Sequence, residues 1–217
     1  MKKQKLFLLL ISLLVAFTLL SCSNTTTKDK ITVENEKQEE NISENEVAKE
    51  ETPKTPTSFE ALGKSYSSTK DLSIIEKGTN IYDDQSSIHY TPGEYKELDF
   101  ANDLLYAYVN QDNSIYNYLV SYDSTNANGI SSITEADKSK LEKDLTSLRS
   151  QMGLANGEEM VLRLDRVTYE GPSTKTNSGS TFKIRVAISR VGATIVPWNY
   201  FTVTVFEDGN KLFAHLF

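Results

Sequence analysis

The sequence predicts an α+β fold, with helices on one face of an antiparallel sheet of about four strands, preceded by a signal peptide and a disordered linker. Three observations lead there. Apolar residues recur at helical spacing through residues 91–152. After Asn156 the apolar period becomes two and stays so to the end of the chain. Ahead of both, residues 1–58 carry an uncharged apolar run and then a charged stretch with no core-forming pattern.

The chain opens with MKKQK and its three lysines, followed by the apolar run LFLLLISLLVAFTLL at residues 6–20. A positive start, an apolar run and a small residue at its end, Ser21, make an export signal over residues 1–21. The run is short for a membrane span, which usually needs about 18 or more apolar residues. Cys22 follows at once and is the only cysteine, so a disulfide within the chain is excluded. Leu19, Leu20, Ser21 and Cys22 resemble the lipobox of bacterial lipoproteins, where a branched apolar residue, a variable residue, a small residue and a cysteine stand in a row. The resemblance implies a diacylglyceryl group on the Cys22 sulfur and cleavage between Ser21 and Cys22. It also implies a chain held on the extracytoplasmic face of the cell membrane through that lipid. Each buried CH₂ contributes about 0.8 kcal/mol, and two acyl chains hold stably where one is marginal. The competing readings are a plain secretory signal with a chance cysteine, and an uncleaved anchor.

Residues 22–58 read as a disordered acidic tether. Apolar residues are few there, glutamates are many, and prolines come late, at Pro53 and Pro56. Nine acids stand against four lysines between Lys28 and Glu51, a net charge of −5. The whole chain is at −7, and removing the three signal lysines takes it to −10, so half of that charge sits in the tether. A flexible chain of this length spans roughly 30–36 Å on average, enough to lift a domain clear of lipid headgroups. The acidic run argues against docking on anionic lipid or nucleic acid. A solvated spacer and a site for a basic partner both fit it.

Residues 59–217 are long enough for one domain with its own core. LSII at 72–75 and NIY at 80–82 are candidate short strands. TPGE at 91–94 places Thr91 at an N-cap, Pro92 at the first helical position and Glu94 in a capping box. Tyr95, Leu98, Leu105, Tyr108 and Val109 continue at helical spacing, NQDN at 110–113 breaks the helix, and Asp112 or Asn113 caps a second one. TEAD at 134–137 starts a further helix, with Leu141, Leu145, Leu148 and Met152 as its stripe and Gly153 as its stop. Lys138/Glu142 and Lys140/Asp144 are opposite charges four apart on its wet face.

Residues 160–217 read as antiparallel strands. Met160, Leu162 and Leu164 share a face, then Val167 and Tyr169, a phase shift that predicts a bulge near Asp165 and Arg166. FKIRVAIS at 182–189 alternates cleanly, and NYFTVTVF at 199–206 is apolar on both faces. EDGN at 207–210 signals a hairpin, since Asp-Gly suits a two-residue turn, and KLFAHLF closes the chain as a fourth strand.

From Asp99 to Phe217 this order resembles the nuclear transport factor 2-like (cystatin-like) superfamily. The stretches AYVNQDNSIYNYLVSY and FTVTVFEDGNKLFAHL carry the resemblance. It implies a curved, cone-like sheet folded around a helix, with a pocket in the cone. The polar insert GPSTKTNSGS at 171–180 is not expected from it.

The chemistry to be found in the sequence is sparse. His89 and His215 are the only histidines and stand far apart, so no metal site is expected. Neither G-x-S-x-G nor the phosphate-binding G-x-x-x-x-G-K-[ST] occurs. No catalytic residue and no cofactor are assigned. Asp83-Asp84 reads as a turn and Glu158-Glu159 as solvated. Asp165, between Arg163 and Arg166, reads as a surface ion-pair member, with a side chain that the bulge re-aims into a site as the alternative. Tyr108, Tyr116, Trp198 and Tyr200 are candidate pocket residues, since tyrosine offers a ring and a hydroxyl, with ordinary core and rim packing as the alternative. Basic residues do not interleave with aromatics on one face, which argues against nucleic acid. The expected function is a lipid-anchored extracytoplasmic binding or assembly module without catalysis, taking an unknown protein or envelope component. The alternatives are a protein with a pocket for a small apolar ligand, and a pocket-acid enzyme.

Overall fold

The computed structural model describes residues 58–194 and 196–216. The signal segment, Ser21, Cys22 and the tether through residue 57 lie outside them. The described elements are β1 (Phe59–Ala61), β2 (Lys64–Tyr66), β3 (Thr79–Asp83), α1 (Lys96–Val109), β4 (Val120–Tyr122), β5 (Ile130–Ser132), α2 (Glu135–Gln151), β6 (Met160–Pro172), β7 (Ser180–Arg190), β8 (Trp198–Asp208) and β9 (Lys211–Leu216).

Seven strands form one sheet in the order β2-β1-β9-β8-β7-β6-β3, and β4 pairs with β5 in a separate ribbon. This corrects the expectation of N-terminal helices packed on a curved, cone-like sheet of about four strands. Among the described residues there are two α-helices, and the sheet has seven strands. The extra strands come from residues 59–83 and are three to five residues long, too short for a period of two to show. β3 adds antiparallel to β6, and β1 adds parallel to β9 at Glu60 and Lys211. LSII is not a strand but a 3₁₀ turn over Leu72–Ile74, capped by the Asp71 carboxylate.

The remaining elements follow local chemistry. Thr91–Glu94 is a turn rather than a helix start: the Glu94 N–H donates to the Thr91 carbonyl at 2.9 Å, and Gly93 has φ +91°. Pro then Gly at the two central positions is the type II pattern, which needs positive φ at the second. Helix α1 therefore begins at Lys96, whose N–H donates to Ser68 Oγ at 2.8 Å. The break at 110–113 gives a 3₁₀ turn over Asn113–Asn117, with Asp112 as its cap. In α2, Thr134 caps through the Asp137 N–H, and Lys140 pairs with Asp144 at 3.0 Å. Lys138 instead lies over the Tyr116 ring, 4.8 Å from its centre. β8 and β9 close with Asp208 opposite Lys211, which makes Gly209 and Asn210 the central turn residues.

The sheet has two unlike faces. Phe182, Ile184, Val186 and Ile188 of β7 lie at 0 % exposure on the inner face, as do Val203 of β8 and Leu212 and Ala214 of β9. They join Leu98, Phe100, Leu104, Leu105 and Val109 of α1 in one core. Each of the larger of these side chains contributes about 1.5–3 kcal/mol by leaving water. Arg149 of α2 is buried against this layer and donates to the carbonyls of Val109, Ala155 and Glu158 at 2.9, 2.7 and 2.5 Å. The opposite, outer face carries the residues of alternate parity.

Candidate binding surface

Register fixes the rows of the outer face. Arg163, Ala187 and Trp198 lie side by side across β6, β7 and β8. The next row is Asp83, Arg166, Arg185 and Tyr200, and the third is Asn80, Thr168, Lys183 and Thr202. The expected bulge is present, with a register shift between Leu164 and Arg166. It turns two consecutive residues, Asp165 and Arg166, toward the same face. Arg166 then pairs with Asp83 at 2.8 Å, and Asp165 pairs with Arg185.

Asp165 is fully buried, with its Oδ1 making no hydrogen bond. Arg185 covers it and lies over the Trp198 ring, 5.3 Å from the centre. The Tyr200 hydroxyl first, and then Asp165, raise the guanidinium above its ordinary value. Lys183 lies 5.6 Å from the centre of the Tyr200 ring. The result is a stack of alternating cations and aromatic rings, anchored underneath by a buried carboxylate.

This stack is open to solvent. Trp198 is 45 % exposed and Tyr200 61 %. Of eight exposed large hydrophobics among the described residues, five are Val161, Val191, Val196, Trp198 and Tyr200, all on β6, β8 or the β7–β8 connection. Scattered apolar side chains need no explanation, but a contiguous group rimmed by charge marks an interaction site.

The four aromatic candidates do not meet in one pocket. Tyr108 is a core residue whose hydroxyl donates to the Leu141 carbonyl at 2.8 Å and whose ring meets Phe201 edge-on. It shares with Tyr116 a cleft of about 210 Å³ between the end of α1, the 3₁₀ turn and α2. Trp198 and Tyr200 lie on the other side of the sheet. Cys22 and Ser21 fall outside the described residues. Asp83 accepts from the Gln85 N–H at 3.0 Å, as a turn residue does, and Glu158 Oε2 accepts from the Ala155 N–H at 3.0 Å. What sequence reasoning missed is Arg185 as the centre of the stack. The available signal was that four of the five arginines fall in the segments 160–172 and 180–190.

Two further clefts are present. One of about 500 Å³ lies between the 3₁₀ turn at Leu72, the start of α1 and the ends of β6, β7 and β8. Burial pushes the Glu97 carboxyl there above its ordinary value, opposed by Lys96 at 3.0 Å, which also holds Glu207 at 2.9 Å. Another of about 200 Å³ opens on the outer face beside His215. Among the described residues no group of three metal-binding side chains occurs, and no helix is long and apolar enough to cross a membrane. Comparison with protein-family models, curated proteins and solved structures gives no match.

Proposed function

We propose that this chain is a lipid-anchored extracytoplasmic binding module, and that it holds a protein partner through the outer face of β6, β7 and β8. The observation that carries the reading is the exposure of Trp198 and Tyr200 beside Arg185 on the outer face, with Val161, Val191 and Val196 also exposed on β6 and on the β7–β8 connection. Tryptophan, tyrosine and arginine are the residues in which binding energy concentrates at protein interfaces. Their side chains are also held in place before contact, by the cation stacks and by Asp165, which lowers the entropy lost on binding. The valines favour a protein surface over a polar ligand. The pocket readings have less support. The inner face is filled by α1 at 0 % exposure at Leu98, Phe100, Leu104 and Val109. Glu97, the buried acid of the cleft of about 500 Å³, is paired with Lys96 at 3.0 Å.

The test is capture from detergent-extracted membranes of the source cell, comparing the wild-type chain with the Trp198→Ala/Tyr200→Ala variant. Both residues are exposed, so the thermal midpoint should hold while a discrete captured protein is lost. Equal capture by a variant of unchanged midpoint would remove the reading.

A further inference from the structure

The polar insert between β6 and β7 is not a loose loop. The Ser173 N–H donates to the Gly179 carbonyl at 2.8 Å and closes its base. Gly179, at φ +110°, lies so close to Phe206 that a Cβ there would come within 2.7 Å of the ring. Thr176 rests on Gly129 of the β4–β5 connection, where a Cβ would come within 2.9 Å of its methyl. The insert and the β4–β5 ribbon together roof one half of the outer face and leave the Trp198 half open.

At the edge of that roof lies the cleft of about 200 Å³, lined by Tyr122, Lys175, Thr181, Thr202, Thr204 and His215. Its side chains are ordered by one another. The Tyr122 ring packs against His215 at a tilt of 51° with centres 4.0 Å apart, and its hydroxyl donates to Thr204 Oγ1 at 3.2 Å. Thr204 is buried and lies 3.1 Å from Thr181 Oγ1. His215 Nδ1 donates to the Val120 carbonyl at 2.9 Å. The insert holds the Lys175 ammonium 4.6 Å from the centre of the Tyr122 ring.

The charge balance of this cleft is unlike that of the acidic chain around it. Lys175 has no ion-pair partner among the described residues. Asp137, the carboxylate facing His215, is committed to the Ser121 hydroxyl and to Thr134. Burial holds His215 below the ordinary histidine range, with Lys175 and Lys140 acting in the same direction. The lining is therefore one ammonium, several hydroxyls and an imidazole, with no carboxylate among its residues. Hydroxyls can donate to an anion without bringing opposing charge, and an ammonium supplies the charge-assisted bond.

We propose that this cleft binds a small oxyanion, the carboxylate or phosphate of a ligand no larger than a single sugar, with Lys175 and the hydroxyls of Thr181 and Thr202 as its contacts. The proposal does not rest on the partner surface at Trp198. Removing one charge-assisted hydrogen bond costs about 1.5–3 kcal/mol, or roughly tenfold or more in affinity.

The test is threonine-methyl NMR on the full chain in detergent, titrated separately with inorganic phosphate, glucuronate and neutral glucose. Thr181 and Thr202 should shift saturably with phosphate, with glucuronate or with both, and the responding probe names the source of the oxyanion. Lys175→Ala should weaken that response about tenfold or more, Lys175→Arg should keep most of it, and Thr202→Val, at an exposed position, should weaken it at unchanged thermal midpoint. A response to neither oxyanion, an equal response to glucose, or a Lys175→Ala variant that binds as wild type would each overturn the proposal. Partner capture through Trp198 can succeed or fail independently of all three.

Discussion

Arg185 is held from three sides, by a buried carboxylate, an indole face and a phenol. Its side chain is 21 % exposed and that of Asp165 is at 0 %. Such a pair adds little over well-packed apolar residues, but removing one member strands the other. Arg185→Met should therefore cost about 3 kcal/mol in a denaturant melt. The double variant Arg185→Met/Asp165→Leu should recover much of that loss. An Arg185→Met protein as stable as wild type would show that the pair does not hold the stack. The sequence reading placed Trp198 and Tyr200 among the candidates and singled out Asp165 at a bulge. It did not join them, because which residues share a face depends on the cross-strand register of β6, β7 and β8. A two-residue step on β6 against one on β7 decides that Asp165 meets Arg185 rather than Arg163 or Arg166. Tyr108 and Tyr116 were grouped with Trp198 and Tyr200 for the same reason: composition names aromatics without saying which side of a sheet they occupy.

At the scale of elements, legibility followed strand length. β7 is eleven residues long, and its alternation of apolar and polar residues is visible by eye. β1 and β2 have three residues each, which carry no period. The parallel pairing of β1 with β9 joins residues about 150 positions apart, which no local pattern reveals. Helix α1 starts later than the sequence predicts because Pro-Gly serves a type II turn as well as a helix start. β9 shows what a short strand can nonetheless carry. Leu212 and Leu216 point into the core, the first at 0 % exposure and the second at 2 %. Both edges of the strand are used, by β8 on one side and by β1 and the Tyr118 carbonyl on the other. Leu212→Ala should cost about 2–5 kcal/mol, a large share of a typical total of about 5–15 kcal/mol. Deletion of residues 211–217 should leave an aggregating chain. A truncated chain with an unchanged thermal midpoint would contradict the packing described for β9.

For the whole molecule, the proposed reading puts a lipid on Cys22 and an acidic spacer ahead of a domain whose outer sheet face carries exposed rings. The three parts make sense together. On the proposed reading, a flexible spacer of that length would span roughly 30–36 Å and raise the effective concentration of the domain toward a partner in the same envelope. The roofed half of the same face supplies a separate polar cleft, so a small ligand and a protein partner need not compete. The measurement that tests the central claim most directly is site-specific cross-linking in the living source cell. A photoreactive p-benzoylphenylalanine replaces Tyr200 in one chain and Ile74, which is 81 % exposed on the 3₁₀ turn outside the patch, in another. The account predicts a discrete protein adduct from position 200 in the membrane fraction and none of the same mass from position 74. It also predicts that the position-200 chain carrying Cys22→Ala leaves the membrane fraction and loses most of the adduct. The same adduct from both positions, or none from position 200 while the chain is folded and anchored, would contradict it.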